Sequence, residues 1–596
     1  MPFYRVVLGE DESQRGRTVL ELLTEAGCDL PAVCGGRGRC GKCLVKLEEG
    51  FLSAPEEEER RLLGASRLAA GWRLACRARV TGRAVVAWEG APGPPAKDLG
   101  VSARKPSLAP AVCRRKITLP APSPKERKGD WERLSFALGL PGPPDPWACW
   151  GLRGGIGQNG GELEILLGEG RLYGPAAPGR LLGAFLDLGT TTVVAGLVDL
   201  ENGGILGLRT AFNAQRAFGA DVLSRLGHAL AGPGEARALK DRLQIQACAM
   251  LAGLLAEADA GPANLADLVA VGNAAMEHLF LGLDVGGLAV LPFAPVHQSG
   301  LLVPAAALGL PAHPAARVYF PPNLAGFVGA DTVAGIVATD LLARPGPSLL
   351  VDLGTNGELV LACGEKILAC STAAGPAFEG AGISCGMPAV AGAVNRVEPG
   401  GEGLLCATIG GGPPRGLCGS GLIDAVAALR MLGGIDETGR LRPEGAPALA
   451  GCFREGPDGL AVVLAEAEGG EEIRLTQADI RRLQPAKGAV AAGVRLLCRA
   501  AGIAPGDLQE VLLAGAFGLH LRPESAVRIG LLPGIPAARV RAVGNTAAEG
   551  ARLLLLHAPL RREAESLVGK VEVLELAAEP DFQMVFAGEM MFSGRL

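Results

Sequence analysis

The sequence predicts a multidomain α/β protein, and three observations carry that prediction. The chain has 596 residues, more than one hydrophobic core ordinarily serves, so two or more domains are expected. Its composition, with 88 glycines, 48% hydrophobic and only 4% aromatic residues, suits close-packed strands and helices rather than a disordered chain. One unit also occurs twice: an apolar strand ending in Asp-Leu-Gly-Thr and a tight turn, at Phe185 to Thr192 and again at Val351 to Leu359. Recurrence at domain-scale spacing implies two similar lobes facing one ligand.

Global features exclude several classes. A net charge of −5 gives no basic field to recruit nucleic acid. No uncharged apolar run reaches the roughly 18 residues a membrane span needs. Met1 to Gly16 is polar and lacks a signal core, so a cytoplasmic protein is expected. In that reducing compartment, 15 cysteines argue for metal ligation or buried thiols rather than disulfides.

Residues 1–90 form the first expected domain. Arg5 to Leu8 and Leu44 to Leu47 read as strands; Thr18 to Ala26 and Glu56 to Leu63 read as helices. Between them lie Cys34, Cys40 and Cys43, followed at a distance by Cys76, in the spacing C-x5-C-x2-C-x32-C. Four thiolates are what a [2Fe–2S] cluster requires. Plant-type spacing has one residue fewer in the first gap, so the loop resembles another ferredoxin subclass. That resemblance implies a β-grasp ferredoxin-like α+β domain. Zinc is the alternative, although its ligands usually come as two close pairs.

Residues 91–112 are rich in Pro, Gly, Ala and Lys and read as a linker with some polyproline stiffness. A small middle domain is expected over 113–180, with strands at Lys116 to Leu119 and Leu163 to Leu167 and a helix at Trp131 to Leu138. It carries no nameable chemistry.

The rest, 181–596, holds the repeated turns. Gly189, Gly354 and Gly357 let backbone approach a bulky anion, and the N–H groups of such turns form anion nests. Thr190, Thr191, Thr192, Thr355 and Asn356 add short polar side chains for phosphate oxygens. Asp187 and Asp352, at the strand ends, are placed to hold a hydrated Mg²⁺, which keeps several waters and takes few carboxylates. One such turn alone would read equally well as a plain acidic turn; the twin favours nucleotide. Asp221 and Arg225, four apart, read as a helix-surface ion pair. Gly272 to His278 reads as capping an apolar strand at Leu268 to Val271, Gly326 to Thr332 as opening a helix, and Thr476 as an N-cap for a helix that, itself or through its successor, carries Gln484 and Lys487. None of the six histidines falls in a metal or corrinoid-binding motif.

The paired turns resemble the phosphate motifs of the acetate and sugar kinase, heat-shock chaperone and actin superfamily, implying a two-lobed actin-like ATPase. Joined to a ferredoxin-type domain, the chain resembles the reductive activators of corrinoid proteins. The matching stretches are the four cysteines, Asp187 to Thr192, Phe218 to Arg225, Asp352 to Glu358, Thr372 to Gly380, Cys418 to Asp424 and Leu513 to Gly518. Gln215 follows Asn213-Ala214, where relatives carry Asn-Pro.

The resemblance implies that ATP and one electron from the cluster return an inactive Co(II) corrinoid to Co(I). The corrinoid would belong to a partner protein of a methyl-transfer system. It implies Gly515 and Gly518 against the adenosine, Asp352 as essential to hydrolysis, and Glu358 positioning the attacking water. Within Gly380 to Met387, Ser384 would offer its hydroxyl to cobalt; alternatively it only bonds its own turn. The linker would let the cluster domain swing. Two rivals remain open: an activator of another low-potential enzyme such as an acyl-CoA dehydratase, and a chaperone-like ATPase with a redox-sensing cluster. The sequence names neither the electron donor nor the partner, and a homodimer is compatible with it.

Overall fold

The computed structural model describes residues 3–25, 30, 36, 38, 41–89, 99–100, 102–119, 121, 128–140, 161–168, 170–380, 382–401, 403–456, 459–467, 469–518 and 520–592. Cys34 and Cys40 lie outside the described residues.

The N-terminal unit contains β1 (Phe3–Leu8), α1 (Val19–Glu25), β2 (Leu44–Leu52), α2 (Glu57–Ala69), β3 (Trp72–Leu74) and β4 (Val80–Glu89), in sheet order β1-β4-β2-β3. Val19, Leu20 and Leu23 of α1 bury against Val45, Val86 and Trp88, as helical spacing set over an alternating sheet requires. β2 runs on to Leu52, past its apolar start, because Glu49, Gly50 and Leu52 pair with β4 and the ladder satisfies their backbone. Arg73 of β3 and Glu59 of α2 form a buried ion pair at 2.8 Å, and Glu59 also accepts from the Leu74 N–H at 3.0 Å. That contact fixes the chain just ahead of Cys76.

The middle unit is a three-stranded antiparallel sheet, β5 (Val112–Leu119), β6 (Gly161–Gly168) and β7 (Arg171–Pro175), with α3 (Asp130–Leu138) between β5 and β6 in sequence. Leu134 packs with Leu119, Ile165 and Leu172. Val112, Leu166 and Tyr173 join the core of the following lobe with Phe185 and Val198.

Two six-stranded sheets follow. The first lobe contains β8 (Leu182–Leu188), β9 (Thr192–Asp199), β10 (Ile205–Phe212), α4 (Val222–Ala229), α5 (Pro233–Glu257), β11 (Leu265–Val271), α6 (Ala274–Leu281), β12 (Leu301–Pro304), β13 (Arg317–Phe320) and α7 (Ala330–Thr339). The second begins with β14 (Ser348–Leu353), β15 (Gly357–Cys363) and β16 (Lys366–Thr372). Two small sheets are inserted there: β17 (Ala393–Pro399), β18 (Leu404–Thr408) and β19 (Gly416–Leu417), then β20 (Phe453–Gly456), β21 (Gly459–Glu466) and β22 (Glu472–Thr476), with α8 (Gly419–Met431) between. The lobe closes with α9 (Gln477–Ala501), β23 (Glu510–Ala514), β24 (Val540–Gly544), α10 (Thr546–Leu556), α11 (Pro559–Glu565) and β25 (Val571–Val573).

The sheet orders are β10-β9-β8-β11-β13-β12 and β24-β23-β14-β15-β16-β25. In each, the first strand is central, with an antiparallel meander on one side and parallel strands on the other, while the edge strands β12 (antiparallel to β13) and β25 (parallel to β16) depart from the pattern. β8 and β14 are therefore equivalent, and each ends in Asp-Leu-Gly-Thr. α7 and α10 cross in close contact: a Cβ on Gly550 would lie 2.1 Å from the Ala334 carbonyl oxygen.

The expected linker differs from a free tether. Residues 91–98 and 101 lie outside the described residues. Farther on, Gly100 N–H donates to Asn545 O (3.3 Å), Ala103 N–H to Ala338 O (3.0 Å) and Ala109 N–H to Leu556 O (2.9 Å). Ala338 and Leu556 are at the C-terminal ends of α7 and α10, where carbonyls lack helical partners, whereas Asn545 O also accepts from Glu549 N–H at 3.1 Å.

Candidate functional site

β8 delivers Asp187 to the cleft, where Asn545 Nδ2 donates to its Oδ2 at 2.9 Å. Gly189 then turns the chain so tightly that a Cβ would meet Thr192 O at 2.5 Å. Three side chains girdle this turn. Asn213 Nδ2 donates to Gly189 O (2.8 Å), Asn273 Nδ2 to Thr190 Oγ1 (3.1 Å), and an Arg225 Nη to Thr190 O (2.7 Å).

Arg225 corrects the expectation of a surface ion pair. It is fully buried, with Nε donating to Gly219 O at 3.0 Å, and burial together with the charge of Arg216 brings its pKa down to about 9. Asp221 instead caps α4, accepting from Ser224 N–H at 2.7 Å. Spacing of four residues shows which helix face a side chain occupies, but not what packs over that face.

The second turn repeats the first. Gly354 N–H donates to Asn356 O at 2.9 Å, closing the turn between Asp352 and β15. The two turns meet: Thr191 Oγ1 lies 2.9 Å from Thr355 Oγ1. Glu379 accepts from both hydroxyls, through Oε2 at 2.9 Å and Oε1 at 3.0 Å. Sequence reasoning read the Glu379 stretch only as small residues in close backbone approach; an acidic side chain isolated among Gly, Ala and Pro was the overlooked signal.

Acidic groups crowd the cleft. Asp331, at the start of α7, is pushed up to about 7 by burial and by the charges of Asp352 and Asp187. Glu358 stands well above the usual carboxylate range, through burial and the charges of Asp331 and Asp352, and Ser371 Oγ donates to it at 3.4 Å. Carboxylates that repel one another in one cleft are the donor set a divalent cation relieves, so Mg²⁺ fits here. Gly515, at φ +86°, lies against the second turn: a Cβ would meet Leu353 O at 2.6 Å and Asp352 Oδ1 at 2.7 Å. Gly518 backs onto Leu513 with only 3.2 Å for a Cβ, so this bare turn follows the cleft wall. Thr192 opens β9, and Asn356 completes the second turn.

In the N-terminal unit, Cys43 and Cys76 are both buried with sulfurs 3.3 Å apart. That is too far for a disulfide but close enough for two thiolates to share one metal centre. The β2–β3 ladder sets the pair, because Leu44 is opposite Leu74 and Ala75 N–H donates to Cys43 O at 2.8 Å. Gly36 and Gly38 take φ of +75° and +69° in the loop toward Cys43, and Gly38 packs against Arg77. This donor set fits an iron–sulfur cluster, whose two further thiolates would be Cys34 and Cys40.

Ser384 is exposed, and its N–H and Oγ both meet Asp479 Oδ1, at 2.8 and 3.1 Å. Elsewhere Glu277, His278 and His297 gather. His278 is engaged at both ring nitrogens, Nδ1 with Ala274 O (2.7 Å) and Nε2 with Val296 N–H (2.9 Å), while His297 Nε2 lies 2.9 Å from Glu277 Oε1. The imidazole planes are within 5° of parallel, so their in-plane lone pairs do not converge on one point.

Comparison with known proteins agrees with this geometry. Residues 346–595 match the C-terminal domain of RACo, the ASKHA domain; 182–344 match the RACo middle region; 9–81 match a 2Fe–2S iron–sulfur cluster binding domain. The matched middle region coincides with the first lobe. The corrinoid activation enzyme RamQ of Eubacterium limosum is 35% identical over 419 residues, 69% of this chain and 70% of that protein. The [Co(II) methylated amine-specific corrinoid protein] reductase of Methanosarcina barkeri is 29% identical over 300 residues, 46% of this chain and about half (52%) of that protein. A solved reductive activator for a corrinoid, iron–sulfur protein superposes with a TM-score of 0.74 at 30% identity, over 99% of this chain and 98% of that one. A cluster-type thiolate pair, two matched phosphate turns and relatives aligned over most of their length lead to one conclusion: the chain belongs to the family of reductive activators of corrinoid proteins.

Proposed function

We propose that this protein uses ATP to drive a one-electron reduction, returning the Co(II) corrinoid of a partner methyl-transfer protein to Co(I). The observation that carries the reading is the approach of Thr191 and Thr355 to 2.9 Å, across two lobes, in a chain that also carries a thiolate pair. Co(I) is a strong reductant, and moving one charge uphill costs about 2.3 kcal/mol per 100 mV. Plant-type clusters lie near about −400 mV, so the transfer needs a coupled source of free energy.

When bound, the cluster supplies one electron at low potential and Mg²⁺ neutralises phosphate charge. The residues do the rest. Asp187 and Asp352 hold the hydrated cation, and Asn545 fixes Asp187 in orientation. Thr190, Thr191, Thr355 and Asn356 bring hydroxyl, amide and backbone donors to the phosphates from both lobes. Glu358, beside Asp352 and Asp331, positions the attacking water, and Asp331 is a second carboxyl facing the same aspartates. Gly515 and Gly518 let their turn pack tightly on the two strands of the second lobe, and that turn lies against adenosine. Binding that differs between open and closed lobes can favour one state of the partner over another. Ser384, held by Asp479, lies on the loop facing the corrinoid partner.

The test is spectroscopic. The reduced holoprotein, Mg-ATP and a corrinoid protein in its Co(II) state should develop Co(I) absorbance only when ATP is present. Absorbance independent of ATP, or none with cluster and ATPase both intact, contradicts the proposal. ATP-dependent release of a bound client with no change at cobalt would favour the chaperone-like reading.

A further inference from the structure

The segment from Leu99 to Pro110 was expected to be spacer, yet it is bonded to the ATPase body at both ends and in the middle. At its start, Leu99 pairs in parallel with Asn545, and Gly100 N–H donates to the Asn545 carbonyl at 3.3 Å. The approach is close: a Cβ on Gly100 would lie 2.5 Å from Val543 O. In the middle, Arg104 Nε donates to Asp340 Oδ1 at 2.7 Å, and its two terminal nitrogens donate to both oxygens of Glu563, at 2.8 and 2.7 Å. Planar, forked pairing of this kind is directional as well as attractive. At the end, Ala109 N–H donates to Leu556 O at 2.9 Å, Ala558 N–H returns a bond to Ala109 O at 2.8 Å, and His557 Nδ1 meets Ser107 O at 2.8 Å.

These anchors lie on helices packed against one another over the first sheet. Asp340 caps α7, while Asn545, His557 and Glu563 belong to α10, α11 and their connections. Asn545 is the decisive residue. Its side chain donates to Asp187 in the nucleotide cleft at 2.9 Å, its Oδ1 caps α10, and its backbone carbonyl holds the strap. One residue thus touches the cation-binding aspartate on one side and the route to the cluster domain on the other. Only residues 90–98 separate β4 from Leu99, which caps the span between them at about 30 Å for a fully extended chain.

We propose that residues 99–100 and 102–110 form a strap that transmits the nucleotide state of the cleft to the cluster domain, with Asn545 as the shared contact. This rests on the reading of the protein as an ATP-driven reductase. Nucleotide and its cation act on Asp187, and Asn545, bonded to Asp187 by its side chain and to Gly100 by its carbonyl, passes any shift to the strap. That shift displaces the origin of the tether. The cluster domain is then positioned by the nucleotide rather than left to swing from a spacer of some twenty residues.

Two measurements on the full-length holoprotein test this. In amide hydrogen exchange, Gly100, Ala103 and Ala109 should change protection by about three-fold or more when Mg-ATP is added to the wild type. In turnover, Arg104→Ala and Gly100→Val should keep ATP hydrolysis within about two-fold but slow Co(I) formation about ten-fold, within the usual range of coupling between sites. Unchanged protection at all three amides overturns the proposal. So does wild-type Co(I) formation in both variants once exchange shows their strap to be loosened. If the wild type itself forms no Co(I) with ATP, the functional reading fails, and the exchange result still decides whether the strap senses nucleotide.

Discussion

Thr191 and Thr355 are 164 positions apart in sequence, yet their hydroxyl oxygens lie 2.9 Å apart and share one carboxylate, Glu379. Each belongs to the turn that follows the central strand of its lobe. Thr355→Val keeps the branched shape and removes only the hydroxyl. A hydrogen bond to a charged phosphate is worth about 1.5–3 kcal/mol, so Mg-ATP affinity should fall roughly 10- to 100-fold by calorimetry. Unaltered affinity would place the phosphates elsewhere.

Arg225 holds the first turn from beneath, with its charge satisfied by the carbonyls of Thr190 and Gly219. Arg225→Met leaves both carbonyls buried without that donor. The fold should lose about 3–5 kcal/mol, read as a lower thermal midpoint, and ATP binding should weaken with it. Arg225→Lys should recover only part, because a single ammonium does not reproduce the planar fork. A midpoint unmoved by Arg225→Met would show the guanidinium to be dispensable.

Asp352→Asn should cut ATP hydrolysis by about 100-fold or more while leaving the cluster spectrum as it was. The two chemistries occupy different units, so an effect of this variant on the visible spectrum would contradict the assignment as surely as normal hydrolysis.

Purified under anaerobic conditions, the protein should carry about two irons per chain. Cys76→Ser should bleach the visible absorption and spare hydrolysis. One zinc per chain with no charge-transfer absorption would transfer the thiolates to the alternative metal.

The Glu277–His297 contact makes stability depend on pH. The Glu277 carboxylate lies 2.9 Å from His297 Nε2 and raises the His297 pKa above its ordinary value of about 6.5. A raised folded-state pKa means the contribution is complete below that ordinary value and fades as pH climbs through the raised one. His278, lowered first by burial and to a smaller extent by His297, has the opposite sign, and the substitution relieves only that smaller cause. The denaturation midpoint of the wild type should therefore exceed that of His297→Gln more at about pH 6 than at about pH 9. A constant difference would mean that His297 carries no extra charge in the fold.

Much of this protein was legible in the chain itself. Repetition of Asp-Leu-Gly-Thr gave the two lobes, because the same local turn after an apolar strand needs no distant information. Cysteine spacing gave the metal class, and Thr476 was a readable cap because its partner Asp479 is three residues on, with its N–H 3.1 Å from the Thr476 hydroxyl. The tertiary structure decided everything that depended on what lies opposite. Arg225 reads as a surface residue until the turn of Thr190 is laid over its helix face. Glu379 reads as part of a loop until two lobes bring two hydroxyls to it. Glu358 reads as one acid after a turn until burial and the carboxylates of Asp331 and Asp352 are set around it. The Pro-rich segment reads as spacer because composition records stiffness and reach, whereas the carbonyls that bind it, at Ala338, Asn545 and Leu556, come from the far half of the chain. Local pattern fixes turns, caps and ligand spacings through bonds only a few residues long. Charge state, burial and docking are sums over neighbours that only the folded chain assembles.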